Sequence, residues 1–214
     1  MEHNKNDDIE IIYWGEDEEQ DIVNAEAFKK KRRFLPDNLD WKKEVKIWIK
    51  LLIIAVFAAI IINKFVIINA TVPTGSMEKT IHAPGRMVGF RWSYTFSEPK
   101  RGDIIIFEYP DNTTEKYVKR IVGMPGETIE IRNGVVYIDN LRLEEDYVYF
   151  ENGVADIKGD FERTVIPEDC YFVLGDNRNN SKDSRYWKTT HFVERDKILG
   201  KAIFTYWPSI KWLA

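Results

Sequence analysis

The 214 residues can hold one domain, or one domain with a small insertion. The formal net charge of −4 hides an asymmetry: residues 1–28 carry ten acidic side chains and one Lys, while basic residues gather beside the one long apolar run, which is not the distribution of a nucleic-acid binder. Cys170 is alone, which excludes an internal disulfide and a cysteine metal cluster, and it reads as a small buried side chain.

In chain order, residues 1–28 read as a solvated acidic segment. Ile11-Ile12-Tyr13-Trp14 interrupt it; a weak docking motif is the sharper reading, and a disordered tail with a few apolar residues the commoner one. Lys29-Lys30-Lys31-Arg32-Arg33 follow, and residues 1–46 form an acidic and then basic tail. The stretch from Leu51 to Ile62 has no polar side chain, and residues 47–68, accepting Lys50, Asn63 and Lys64, are long enough for a transmembrane helix. Lys50 and Lys64 stand near its ends, where long stems reach the headgroups. A cleaved signal peptide would sit nearer the N-terminus, and an all-round apolar surface speaks against a buried core helix. Eight Lys or Arg lie at positions 29–46 and only Lys79 at 69–85, so the basic side, with the N-terminus, is expected in the cytoplasm and the rest outside.

Beyond the apolar run the chain is rich in Val, Ile, Tyr and Phe with frequent Gly and Pro, which predicts a mainly β fold: an antiparallel core in two parts, 69–127 and 166–214, around a small β insertion at 128–165. Pro73-Thr74-Gly75-Ser76-Met77 is turn-rich, and a lone loop serine is usually only that. Ile104-Ile105-Ile106-Phe107 predicts a strand buried on both faces. In the strand from Tyr117 to Gly123, Tyr117, Lys119 and Ile121 share a face by period two. A strand lysine is most often an edge or surface residue, and this pattern alone leaves that reading ahead. Asn133-Gly134 predicts a type I′ hairpin turn. The loop from Gly175 to Arg185 has eleven residues without an apolar side chain, so it is either solvated or a self-bonded network. The aromatic C-terminus, from Tyr206 to Leu213, is a candidate for touching a membrane interface.

The three histidines, His3, His82 and His191, sit in no recognisable triad context, and there is no zinc motif or glycine-rich phosphate loop. A Ser–Lys arrangement is the remaining nucleophile–base option.

Four segments occur in order: Pro73-Thr74-Gly75-Ser76-Met77; Arg101-Gly102-Asp103-Ile104-Ile105-Ile106-Phe107; Tyr117-Val118-Lys119-Arg120-Ile121-Val122-Gly123-Met124-Pro125-Gly126-Glu127; and Gly175-Asp176-Asn177-Arg178-Asn179-Asn180-Ser181-Lys182-Asp183-Ser184-Arg185. Together they resemble the sequence boxes of bacterial type I signal peptidases, a Ser–Lys protease family, in its compact single-span form. The resemblance implies that Ser76 is the nucleophile and Lys119 the general base. It implies that Thr74 assists the Ser76 N–H in the oxyanion hole and that Ser181 orients the lysine. Asp183 and Arg185 match a supporting ion pair, and Asp176 and Arg178 match structural members of the polar loop. Glu78-Lys79-Thr80-Ile81 stands where the family usually has a proline, and Asn179 where Asp is common.

The same resemblance implies a membrane-anchored endopeptidase that removes signal peptides from exported preproteins. Its partners would be signal peptides, membrane lipid and the secretion translocon, with no nucleic acid, cofactor or metal. Lysine ordinarily titrates at about 10.4, so such a base requires desolvation. The competing readings are an inert relative that binds preproteins without cutting, a soluble self-cleaving repressor, and a single-pass surface binding module.

Overall fold

The computed structural model describes residues 40–156 and 159–213. The acidic segment, His3 and Lys29-Lys30-Lys31-Arg32-Arg33 lie outside the described residues. The chain divides into two compact units, Met1–Val56 and Phe57–Ala214.

One helix, α1, covers Trp41–Phe65. Asp40 precedes it, and its carbonyl accepts from the Lys43 and Glu44 amides at 2.8 and 3.1 Å. Aspartate suits this boundary because it favours the extended backbone at a helix start. None of its 25 residues is buried, and by length and composition it can cross a membrane. At 1.5 Å per residue it is about 37 Å long, against about 30 Å of hydrocarbon. Lys42, Lys43 and Lys46 belong to its first turns. At the other end Ile67 and Ile68 leave the helix, because their backbones pair with Phe90 and Gly89 instead.

The unit Phe57–Ala214 is built on antiparallel strands: β1 (Ile67–Val72), β2 (Gly85–Phe90), β3 (Ile104–Tyr109), β4 (Asn112–Gly123), β5 (Thr128–Arg132), β6 (Val135–Ile138), β7 (Leu141–Arg142), β8 (Phe161–Val165), β9 (Cys170–Leu174), β10 (Val193–Glu194), β11 (Ile198–Trp207) and β12 (Lys211–Trp212). The larger sheet runs β1-β2-β11-β3-β4-β9-β10, with β12 beside β11. The smaller sheet runs β7-β6-β5-β8. Asn133 and Gly134, between β5 and β6, both have positive φ (52° and 74°), as a type I′ turn requires.

Three apolar clusters fill the unit. The first joins Ile68, Val72, Met77, Ile81, Met87 and Ile106. The second joins Ile105, Phe107, Ile121, Val173 and Trp187. The third packs Ile129, Val136 and Ile166 against Phe172 and Leu174, with Cys170 partly buried at its margin. Ile104, Ile105, Ile106 and Phe107 are all buried, since alternate residues of β3 enter different clusters.

Candidate active site

Ser76 lies in a single 3-10 turn, Gly75–Met77, between β1 and β2. Thr74 before it is extended, at φ −116° and ψ 148°. The turn is fastened from behind: Met77 and Ile81 are fully buried in the first cluster, and the Met77 carbonyl accepts the Thr80 and Ile81 amides at 3.0 and 2.7 Å. Ser76 is therefore held by apolar packing on its C-terminal side while its hydroxyl faces a cleft.

Lys119 stands in β4 opposite Ile105 of β3. It is 4% exposed, which decides between the two readings the strand pattern left open: this lysine is inside. Its Nζ lies 2.7 Å from Ser76 Oγ and donates to the Val118 carbonyl at 3.1 Å. Burial pushes the amine down to about 8, against the opposing pull of the Asp183 and Asp176 carboxylates and with a small contribution from Arg185. Tyr117, two residues along the strand, lies with its ring 5.6 Å from the amine and stacks on Tyr109 at 4.3 Å. A buried amine beside a hydroxyl is a base and a potential nucleophile in contact.

Thr74 Oγ1 approaches Ser76 Oγ at 3.5 Å, the long limit of a hydrogen bond. Ser181 is buried, but no hydrogen bond of ordinary geometry reaches it, and it does not bond Lys119. It lies against Gly175, where a Cβ would stand 2.2 Å from Ser181 Oγ and 2.5 Å from the Ser76 carbonyl oxygen. Only glycine allows that approach.

The polar loop is a buried network. Arg185 pairs with Asp183 through Nε at 2.7 Å and a terminal nitrogen at 2.8 Å, and Asp183 also accepts the Gly175 amide at 3.0 Å. Burial alone would push the Asp183 carboxyl up. The Arg185 charge and these donors outweigh it and hold the group below the usual carboxylate range.

Asp176 and Arg178 are each paired, but with residues far away in sequence. Arg120 grips Asp176 at 2.8 and 2.6 Å and stacks over the Tyr147 ring at 4.0 Å. Arg178 grips Glu145 at 2.6 and 3.1 Å. Sequence reasoning did not identify Arg120, Glu145 or Asn177. The one hint was the unbroken polarity of the loop, since a buried polar run needs charged partners from elsewhere.

His82 Nδ1 contacts Glu78 at 2.8 Å and His191 Nδ1 contacts the Ser184 carbonyl at 2.6 Å; neither is hydrogen-bonded to Ser76. Among the described residues no group of three or more His, Cys, Asp or Glu is placed to hold a metal ion.

The cleft at Ser76 has a volume of about 460 Å³. Thr71, Val72, Pro73 and Thr74 line one wall and residues 115–119 of β4 the other. Both walls are free strand edges among the described residues: β1 ends the sheet, and the β9 pairing of β4 begins only at Arg120. Free edges of this kind accept an extended peptide.

The sequence profile of the family described as "Signal peptidase, peptidase S26" matches residues 45–207. A "Probable signal peptidase I-2" of Synechocystis sp. is 37% identical over 164 residues, which cover 74% of this chain and 72% of that protein. A "Signal peptidase I" of Leptolyngbya laminosa is 36% identical, covering 75% of this chain and 78% of that protein. The "Signal peptidase I S" of Bacillus subtilis is 33% identical, covering 80% of this chain and 94% of that protein.

Proposed function

The chain belongs to the signal peptidase, peptidase S26, family, and we propose that it is a membrane-anchored serine endopeptidase that removes signal peptides with Ser76 and Lys119. The observation that carries this reading is the 2.7 Å approach of a buried lysine amine to a serine hydroxyl. With its amine at about 8, roughly a tenth of Lys119 is neutral at pH 7, against under a thousandth for an ordinary lysine.

Neutral Lys119 takes the Ser76 proton as Oγ bonds to the scissile carbonyl carbon. The carbonyl oxygen becomes an oxyanion, stabilised by the Ser76 N–H and the Thr74 hydroxyl. The intermediate collapses, the C–N bond breaks, and Lys119 returns the proton to the leaving amine. Lys119 then draws a proton from water as the water oxygen bonds to the acyl carbon, the ester C–O bond breaks, and Lys119 returns that proton to Ser76 Oγ. Ser181, Asp183 and Arg185 shape the surroundings of Lys119, and Asp176 and Arg178 hold the polar loop.

The preprotein binds extended along the free edges of β1 and β4, with small side chains before the cut. Helix α1 anchors the chain, with the N-terminus cytoplasmic and the domain outside, in line with the basic residues at 29–46. The exposed Trp207, Ile210 and Trp212 give it apolar contact with lipid, and the translocon delivers its substrate. The sheet from β5 to β8 is a structural insertion within the catalytic domain.

The test is cleavage of a preprotein carrying an Ala-x-Ala site by the full chain in detergent, beside Ser76→Ala and Lys119→Ala. We expect a cut after the second Ala by the native chain and none by either folded variant. Cutting by either variant at the native rate would overturn the assignment.

A further inference from the structure

Asn177 is 2% exposed and is given no role by the Ser–Lys chemistry. Its backbone N–H donates to the Ser76 carbonyl at 3.1 Å, and its side-chain Nδ2 donates to the Gly75 carbonyl, also at 3.1 Å. Any residue but proline can supply the first bond. The second needs an amide of this length, because Asp has no donor and Ala does not reach.

The second bond fixes a direction. In a trans peptide the C=O and the following N–H point to opposite sides. The peptide bond joining Gly75 and Ser76 is not among the cis bonds. Anchoring the Gly75 carbonyl on Asn177 therefore turns the Ser76 N–H the other way, away from the Asn177 amide. The Gly75 carbonyl also accepts the Glu78 amide at 3.0 Å, so both of its lone pairs are engaged.

Asn177 is itself tied to a frame. The Tyr149 amide donates to the Asp176 carbonyl at 2.8 Å, and the Arg178 amide to the Tyr149 carbonyl at 2.9 Å. These two bonds make a parallel bridge between Tyr149 and Asn177. The neighbouring Arg178 is clamped by Glu145, with both side chains almost fully buried. Lys79, just beyond the Ser76 turn, lies over the Tyr149 ring at 4.4 Å. Residues 145–149 thus brace the loop that holds Ser76.

We propose that Asn177 is a positioning residue for the oxyanion hole: its side-chain amide fixes the peptide between Gly75 and Ser76 so that the Ser76 N–H faces the developing oxyanion. This rests on the reading of Ser76 as nucleophile. The hydrogen bond from that N–H is needed most in the transition state, so its misdirection lowers kcat and leaves substrate binding alone.

The test measures kcat, KM and thermal unfolding for the native full chain in detergent, Asn177→Leu and Ser76→Ala, on a preprotein with an Ala-x-Ala site. Leucine keeps the branching at Cγ, with a somewhat larger volume. It also loses little at the other end of the amide, because Asn177 Oδ1 is buried without a hydrogen bond. We expect Asn177→Leu to lower kcat by about 10- to 100-fold with KM within about twofold and unfolding near the native temperature. Native kcat in Asn177→Leu would overturn the proposal, as would a loss of kcat matched by an equal loss of folded protein. Asn177→Ser, with a smaller polar side chain that cannot reach Gly75, gives the same readout if the leucine variant does not fold. Cutting by Ser76→Ala would instead overturn the underlying Ser–Lys reading. An inert Ser76→Ala beside a native-rate Asn177→Leu would overturn the Asn177 proposal alone.

Discussion

Lys119 Nζ and Ser76 Oγ lie 2.7 Å apart across 43 residues of sequence. The contact is made by two different devices. Ser76 is presented by a one-turn helix anchored through Met77 and Ile81, while Lys119 is presented by the buried half of β4. Neither segment can relax toward solvent without opening a cluster of the core, so the pair is preorganised.

The first expectation concerns pH. In the proposed mechanism Lys119 must be neutral to accept the Ser76 proton, and burial holds its amine at about 8. Below that value kcat/KM should fall about tenfold for each pH unit, and above it should level off. A pH–rate profile from pH 6 to 9.5 checks this. A flat profile across that interval would remove Lys119 as the base.

The same group makes a statement about stability. Its folded value, about 8, lies below the ordinary 10.5, so the unfolded chain binds the proton more readily. Stability should rise with pH between those two values, and below about 8 the full cost is present, roughly 3 kcal/mol. Lys119→Met removes that cost and loses two hydrogen bonds, to Ser76 and to the Val118 carbonyl, for a net gain of roughly 1 kcal/mol at pH 7. Thermal unfolding in detergent should show a more stable but inactive variant. A Met variant less stable than native at pH 7 would contradict the argument.

Thr74 contributes one hydroxyl, 3.5 Å from Ser76 Oγ. Thr74→Val keeps the shape and removes the donor. In the proposed mechanism kcat should drop by about 10²-fold with KM little changed. Steady-state kinetics decides this, and an unchanged kcat would leave the Ser76 N–H as the working donor from this segment.

Gly175 has no room for a methyl group. A Cβ there would meet Ser181 Oγ at 2.2 Å, Ser181 Cβ at 2.5 Å and the Ser76 carbonyl oxygen at 2.5 Å. Gly175→Ala must push the polar loop away from the Ser76 turn. We expect a loss of about 1–3 kcal/mol of stability and a fall of at least about tenfold in kcat. A native-like Gly175→Ala in both unfolding and cleavage would show that the two loops are not held in contact.

The local features were legible in the chain's own residues. The apolar run read as a spanning helix because every face of it is apolar, and α1 covers most of it. The four apolar residues from Ile104 to Phe107 read as a buried strand, and Asn133-Gly134 as a hairpin turn, because both patterns act over a few neighbouring residues. The helix end was not legible: Ile67 and Ile68 are as apolar as the residues before them, and only their pairing with β2 draws them into a strand.

Where the polar groups go is visible only in the folded chain. Periodicity put Lys119 on a face with Tyr117 and Ile121 but did not say whether that face was covered. The coverage comes from segments as distant as Ser76, and the Asp183 carboxylate, farther along the chain, acts on the amine by its charge. Asp176 and Arg178 were read as one loop's structural members, and their charges are answered by Arg120 and Glu145. The family resemblance gives Ser181 the role of orienting the lysine; it sits against Gly175, and no hydrogen bond joins it to Lys119. Asn177 stands in the polar loop, but nothing there points to its partner, because its role depends on the direction of a peptide about a hundred residues away. Pairing between distant polar groups has no period in the sequence; it exists only once the strands that carry them are in register.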